Sequence, residues 1–107
     1  MKRYGYIIRV KPSKLEEYKE MHRNVWPGVL RMIRACNIRN YSIYYRDGYL
    51  FSYYEYVGDD YDADMAKMAA DPETQRWWDL TDPCQVPVKT ALECEWWAPM
   101  EEVFHTD

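Results

Sequence analysis

Apolar and polar residues alternate along the first half of the chain in a way that predicts three β-strands. Residues 3–10 alternate and are rich in Tyr, Ile and Val, which is typical of a strand. Residues 39–46 give a second strand-like run, and the Asp47-Gly48 pair that follows is a strong signal for a hairpin turn. Residues 49–57 are apolar at consecutive positions, so we expect a third strand that is covered for much of its length.

Helical spacing of apolar residues separates the first two predicted strands. Ser13 and Glu16 have the spacing of a capping box, which predicts that a helix begins there. Pro27 should break or kink this helix, or open a new helical turn as its first residue. A second apolar stripe extends the helical pattern to about Ala35, and Asn37 is a candidate stop.

Two further helices are expected after the third strand. Asp60 is suited to the N-cap of a helix over residues 61–70, because its short side chain can accept a hydrogen bond from a backbone N–H. Asp71 and Pro72 then predict the cap and first position of another helix, which runs from residue 73 to about residue 80.

The last quarter of the chain completes the predicted topology. Residues 81–90 contain two prolines and are expected to form a loop, whereas residues 92–104 are strand-like. We expect Met100 to His105 to be the paired portion of that final strand. The order β-α-β-β-α-β predicts an α+β, ferredoxin-like fold with an antiparallel sheet and helices on one face. Residues 1–107 should form a single domain.

The abundance of aromatic residues predicts a partner for the uncovered sheet face. Aromatics make up 17% of the 107 residues, with eleven Tyr and five Trp, which is more than a small core needs. We therefore predict a homodimer in which two sheets pack face to face. The net charge of −4 argues against nucleic acid as the main partner, because binding phosphate needs a basic surface.

The three cysteines favour a reducing compartment. The spacing of Cys36, Cys84 and Cys94 matches neither a zinc site nor a Cys-x-x-Cys redox pair. The apolar run near the N-terminus is too short for a signal peptide or a membrane span. We expect reduced thiols, a cytoplasmic location and no membrane association. Nor does the sequence contain a Gly-rich phosphate loop or a metal-ligand cluster of recognised spacing.

His22 is the first candidate for acid–base chemistry. It follows Tyr18 at the i, i+4 spacing that places two side chains on one helix face, and Trp26 lies one turn further on. Histidine is the side chain best suited to proton transfer near neutral pH. The competing interpretation is a half-buried aromatic His that closes the edge of the core.

Tryptophan pairs and one strand tyrosine are the other candidates. Trp77 and Trp78 point about 100° apart on a helix, so one should face the core and the other the rim of a pocket suited to a sugar or another amphipathic ligand. A large hydrophobic staple is the alternative. Alternation leaves open which sheet face Tyr41 occupies. The pair Trp96-Trp97 should belong to a subunit interface or, second, to a pocket wall.

Four segments of the chain together resemble the L-rhamnose mutarotase family. They fall in order along nearly the whole chain: Tyr18-x-x-x-His22-x-x-x-Trp26-Pro27, Asn40-Tyr41-Ser42-Ile43-Tyr44, Gln75-Arg76-Trp77-Trp78 and Met100-Glu101-Glu102-Val103-Phe104. The resemblance implies a cofactor-free, dimeric α+β barrel that interconverts the α and β anomers of L-rhamnose. It implies His22 as proton donor and Tyr18, Tyr41, Trp77 and Trp78 as residues that contact the sugar.

Mutarotation needs an acid at the ring oxygen and a base at the anomeric hydroxyl. We hypothesise that protonated His22 is the acid, while the base is open between a tyrosine, a carboxylate and water. Two other functions fit the same fold. One is a cofactor-independent oxygenase or haem-degrading enzyme, and the other is a sugar-binding module without catalytic activity.

Overall fold

Five strands and four α-helices follow one another along the chain. In the computed structural model, which describes residues 1–107, they are β1 (Lys2–Val10), α1 (Leu15–Arg23), α2 (Pro27–Ala35), β2 (Ile38–Arg46), β3 (Tyr49–Tyr56), α3 (Tyr61–Ala69), α4 (Pro72–Thr81), β4 (Gln85–Val86) and β5 (Ala98–Pro99). The sheet is antiparallel with the order β2-β3-β1-β4, and β5 also pairs with β1. The predicted α+β class is confirmed. None of the helices is long and apolar enough to cross a bilayer.

Most of the local signals in the sequence act as predicted. Asp60 accepts a hydrogen bond from the Ala63 N–H at 3.1 Å, and Asp71 accepts one from the Thr74 N–H at 2.9 Å, so both are N-caps. Asn37 ends the first helical region with a positive φ of 66°. That conformation is unfavourable for most residues but accessible to asparagine.

The predicted capping box at Ser13 is wrong. Pro12 opens a short 3₁₀ turn, Pro12–Lys14, and α1 begins only after it, with no side-chain cap. The Lys14 N–H donates instead to the Lys11 carbonyl at 2.9 Å. Because proline presets the backbone φ for a tight turn, the turn replaces the side-chain cap at this position.

The predicted strand from Met100 to His105 is also wrong. Pairing with β1 is confined to β5, and the last backbone bond runs from the Met100 N–H to the Gly5 carbonyl at 2.8 Å. Beyond it the contact passes to side chains, since the Arg3 guanidinium donates to both oxygens of Glu102 at 3.0 and 3.1 Å. The tail therefore lies along β1 through a charged pair rather than a backbone ladder.

The two faces of the sheet have different surroundings. Alternate residues of β1 and β3 pack under the helices in a buried core that consists of Ile8, Val10, Tyr18, Leu50 and Cys84. The opposite face carries apolar side chains with no covering layer, and we call it the open face. Its aligned members include Ile7, Phe51 and Tyr44. Tyr44 is 67% exposed.

Candidate active site

Tyr18 and His22 lie together at the wall of a cavity between α1 and the β2–β3 hairpin. Their ring centroids are 4.2 Å apart, as expected for neighbours on successive turns of a helix. The cavity measures about 280 Å³ and is lined by both residues. Small-molecule sites span roughly 300–1,000 Å³, so this cavity suits a ligand of one ring.

The hydrogen bonding of His22 determines which ring nitrogen faces a ligand. Its Nδ1 lies 2.7 Å from the main-chain oxygen of Tyr18. A carbonyl oxygen can only accept, so Nδ1 carries the hydrogen and, in the neutral ring, Nε2 keeps a lone pair. Burial lowers the pKa of His22, and the bond to the carbonyl opposes this only in part. The resting imidazole is therefore neutral near pH 7.

A β-bulge turns Tyr41 toward the helices. Residues 39–42 of β2 contain one residue more than the facing segment of β3, and the extra residue is Asn40, with a φ of +51°. The Asn40 Nδ2 donates to the Glu55 carboxylate at 2.7 Å. With Asn40 removed from the alternation, Tyr41 faces inward and meets Tyr54 edge to face at 5.3 Å.

The hydroxyl end of Tyr41 is more enclosed than the residue as a whole. The residue is 43% exposed, yet desolvation of the phenol raises its pKa to about 12. The hydroxyl is therefore the enclosed end of the side chain, and it lies close enough to Tyr18 to raise the pKa of that phenol. At neutral pH it is a protonated donor.

The two tryptophans of α4 occupy different environments, as their spacing predicts. Trp77 is only 6% exposed and packs edge to face against His22 at 5.4 Å and against Trp26 at 5.2 Å. Trp78 is 37% exposed. Trp77 therefore supports the imidazole from behind, and Trp78 is the indole of the pair that remains accessible. Of the predicted site residues, Tyr18 and His22 line the cavity, whereas Tyr41, Trp77 and Trp78 lie outside its lining.

Gln85 also belongs to the candidate site, although the sequence pattern does not predict it. It is 4% exposed and lies in β4, within the segment expected to be a loop. Its side-chain amide donates to the Tyr18 hydroxyl at 3.2 Å and accepts from the Trp96 indole N–H at 2.8 Å. Trp96 thus reaches the site indirectly, whereas Trp97 packs against the core. No local pattern signals these contacts, which join residues 67 and 11 positions apart.

The polar lining of the site is almost free of unpaired charge. Lys19 and Arg23 stand at the edge of the cavity, and each forms an ion pair with a glutamate of α1, Glu16 and Glu20 respectively. No carboxylate lines the cavity, and no group of three or more His, Cys, Asp or Glu side chains is arranged to hold a metal ion. Phenols and one imidazole suit a neutral polyhydroxylated ligand better than an anion.

Comparisons with solved structures confirm the fold. The crystal structure of L-rhamnose mutarotase from Formosa agariphila matches over 100% of both chains, with a TM-score of 0.77 and 22% identity. Tetracenomycin F2 cyclase from Streptomyces glaucescens also matches over both full chains, with a TM-score of 0.66 and 13% identity. At these identities the likeness establishes the α+β barrel fold alone.

Comparisons of the sequence identify the family of the protein in addition to its fold. A family model described as L-rhamnose mutarotase matches residues 3–106. The L-rhamnose mutarotase of Oceanobacillus iheyensis is 32% identical over 100% of both chains. That of Bacillus subtilis is 36% identical over 73% of this chain and 74% of its own. The chain therefore belongs to the L-rhamnose mutarotase family.

Proposed function

We propose that this protein is an isomerase that interconverts the α and β anomers of L-rhamnose. Family membership supports the reaction, and one observation supports the site. His22 packs against the Tyr18 ring at the wall of a one-ring cavity, with Nδ1 bonded to a carbonyl and Nε2 free. That arrangement supplies a proton acceptor beside a neutral ligand.

The reaction requires two positioned groups, one that accepts a proton and one that donates a proton. A base removes the proton of the anomeric hydroxyl while an acid protonates the ring oxygen, and the bond between C1 and that oxygen breaks. The C1–C2 bond of the open aldehyde rotates, and the ring closes on the other face with the protons returned. Since no electrons or groups leave the sugar, the proposed reaction requires no cofactor.

His22 is the proposed catalytic residue, and it acts first as a base. Its neutral resting form takes the anomeric proton at Nε2, and the imidazolium so formed returns a proton to the same oxygen on ring closure. The proton-donor role implied by the family resemblance thus falls in the second half of the cycle. General acid–base catalysis of this kind contributes on the order of 10²–10⁴-fold.

Tyr18, Tyr41 and Trp78 are proposed to contact the sugar, whereas Trp77, which the family resemblance also implies as a contact, is buried behind His22. Tyr18 and Tyr41 would hydrogen-bond its oxygens through protonated hydroxyls. The accessible face of Trp78 would stack on the C–H-rich face of the ring, and Trp77, packed edge to face on His22, would support the imidazole from behind. The C6 methyl group of L-rhamnose contributes only about 1–3 kcal/mol of discrimination, so related L-hexoses are expected to bind more weakly rather than be excluded.

The rival functions are less well supported. Haem is far larger than one sugar ring, and the cavity of about 280 Å³ would have to open widely to accept it. A sugar-binding module without catalysis would need the indoles but no imidazole with a free nitrogen. Acceleration of anomer exchange decides the second point, because binding alone does not speed exchange.

A homodimer is the proposed assembly. The open face exposes apolar side chains, and the tail that lies beside it is unusually exposed, with Val103 at 88% and Phe104 at 81%. A second copy of the sheet would cover both, which is the occupant expected for a family of dimeric barrels. The free thiols support a cytoplasmic location, since unpaired cysteines are typical of reducing compartments.

Saturation-transfer NMR on free sugars tests the proposed function. L-Rhamnose, L-mannose and D-glucose are compared with and without the protein, and exchange between the α and β H1 signals is measured. We expect acceleration for L-rhamnose, less for L-mannose and none for D-glucose. No acceleration for any sugar would contradict the proposal.

A further inference from the structure

Gln85 and Trp96 form a hydrogen-bonded relay that ends on the hydroxyl of Tyr18. The indole N–H of Trp96 donates to the Gln85 Oε1 at 2.8 Å, and the Gln85 Nε2 donates to the Tyr18 oxygen at 3.2 Å. Gln85 is 4% and Tyr18 is 4% exposed, so neither polar group can exchange these partners freely for water. Breaking the relay would leave buried groups unsatisfied.

The orientation of the Gln85 amide follows from Trp96. An indole nitrogen is a donor and never an acceptor, so it must meet the amide oxygen of Gln85. The amide nitrogen is thereby turned toward Tyr18, where it can only donate. One indole N–H thus selects one of the two possible amide orientations.

The same logic fixes the direction of the Tyr18 hydroxyl hydrogen. Because the Tyr18 oxygen accepts from Gln85, its own hydrogen must point elsewhere, and no protein group in the structure accepts it. A donor without an acceptor, on a buried residue that lines the cavity beside His22, is available to a ligand. Burial also raises the pKa of Tyr18 far above neutrality, so the hydrogen is present at pH 7.

We infer that Gln85, held in place by Trp96, is a positioning residue that makes Tyr18 the proton donor to the sugar ring oxygen. This inference rests on the proposed function. In ring opening, the anomeric proton passes to His22 Nε2 and the Tyr18 hydroxyl proton passes to the ring oxygen as its bond to C1 breaks. In closure, the phenolate recovers its proton from that hydroxyl as the new bond forms, and the imidazolium returns its proton to the anomeric oxygen. Both side chains end in their starting states.

Charge compensation within the site makes this proton donor reasonable. The intermediate is an imidazolium and a phenolate whose ring centroids lie 4.2 Å apart in the resting site, so opposite charges form and vanish together. The Gln85 N–H bond stabilises the phenolate specifically, because it donates to the oxygen that becomes negative. An alkyl side chain in place of Gln85 would leave the phenolate without this hydrogen bond.

Replacing the hydrogen-bond donor at position 85 with an acceptor tests the inference. A Gln85→Glu carboxylate would accept the Tyr18 hydrogen and draw it away from the sugar. We expect kcat for anomer exchange to fall on the order of 100-fold with KM nearly unchanged, as loss of a general acid requires. Tyr18→Phe should lose a similar factor. The double variant should lose no more than Tyr18→Phe alone, because Gln85 acts only through Tyr18.

A spectroscopic measurement separates this inference from the proposed function. In protein labelled with [¹³Cζ]tyrosine, the Tyr18 signal is the one absent from Tyr18→Phe. We expect it to shift in Gln85→Glu and also in Trp96→Phe, although Trp96 is hydrogen-bonded to Gln85 and not to Tyr18. The exposed Gln75→Glu, which makes the same chemical change in α4, should leave it unmoved.

Each outcome has one meaning. An unmoved Tyr18 signal in both relay variants, or wild-type exchange by Gln85→Glu in an active protein, would overturn the inference. So would losses that add independently in the double variant. If the wild-type protein exchanges no anomers, the proposed function fails and the catalytic role of the relay fails with it, even where the Tyr18 signal shifts.

Discussion

Tyr18 holds His22 in two ways, through its ring and through its backbone. The ring centroids are 4.2 Å apart, and the Nδ1 of His22 lies 2.7 Å from the Tyr18 carbonyl oxygen. Packing of the two rings limits rotation about the His22 side-chain bonds, while the hydrogen bond selects the tautomer. The i, i+4 spacing in α1 thus delivers a neutral imidazole whose free nitrogen has a fixed direction.

The pH dependence of exchange should reflect this neutral base. Burial lowers the pKa of His22 below its ordinary 6.5, so the base is lost by protonation only as the pH falls below that value. After subtraction of the uncatalysed rate, kcat/KM should be level around pH 7 and decline on the acid side of 6.5. A decline that begins above pH 6.5 would contradict a neutral resting imidazole.

The lowered pKa of His22 should also make the folding stability depend on pH. The unfolded chain binds a proton at His22 more readily than the folded chain, so stability is full above the unfolded pKa of about 6.5. It is lost as the pH falls from 6.5 toward the lowered folded value. Urea unfolding of the wild type should therefore show a loss over this range that His22→Gln does not show. Parallel pH curves for the two proteins would count against the shift.

The left-handed backbone conformation of Asn40 should affect both folding stability and sugar binding. At a φ of +51°, a β-branched residue is strained by about 1–2 kcal/mol, whereas glycine adopts this region freely. We expect Asn40→Val to lower the free energy of unfolding by about that amount and to weaken sugar binding, because the bulge directs Tyr41 inward. Asn40→Gly should lose less, mainly the Glu55 bond.

Ser42→Val is the matched control for the bulge. It places the same side chain in β2 two residues later, beyond the register shift. Urea titration and sugar titration of all three variants measure both effects. Equal losses in Asn40→Val and Ser42→Val would show that the bulge conformation is not what the substitution disturbs.

The two tryptophans of α4 should separate stability from binding. Trp77 is 6% exposed and packs on two aromatic rings, so Trp77→Ala should cost about 3–5 kcal/mol of folding free energy. Trp78→Ala should leave stability nearly unchanged and raise the Kd for L-rhamnose. Calorimetric titration and thermal unfolding distinguish the two. A Trp78→Ala protein with wild-type affinity would remove Trp78 from the sugar site.

The proposed dimer should depend on the open face. Tyr44 is 67% exposed there, and a Tyr44→Glu charge would be buried without a partner when two sheets meet. We expect this variant to sediment as a monomer. Leu30→Glu, on the outer surface of α2 at 52% exposure, should leave the assembly intact. A wild-type monomer, or dimers in both variants, would contradict the proposed interface.

Local signals in the sequence account for the elements that were predicted correctly. The caps at Asp60 and Asp71 and the Asp47-Gly48 turn each depend on neighbouring residues, so one sequence suffices to find them. The strand predicted for the tail is wrong because the position of the tail depends on the ion pair between Arg3 and Glu102, which are 99 positions apart. Long-range pairs of this kind leave no trace in periodicity.

The site residues differ in the same way, because some can be predicted from local spacing and others depend on contacts made only in the folded chain. Tyr18, His22 and the Trp77-Trp78 pair lie on helices, where spacing alone predicts shared faces. The inward direction of Tyr41 depends on a bulge, because one extra residue reverses every later side chain of the strand. Gln85 depends on three segments that meet only in the folded chain.

The exchange rate of L-rhamnose anomers in the presence of His22→Ala tests the central claim most directly. Saturation-transfer NMR compares it with the wild type and with His105→Ala, which removes the other histidine from the exposed tail, and circular dichroism confirms the fold of each. We expect His22→Ala to lose on the order of 10²–10⁴-fold of the catalysed rate and His105→Ala to retain it. A folded His22→Ala protein that exchanges anomers at the wild-type rate would contradict the account.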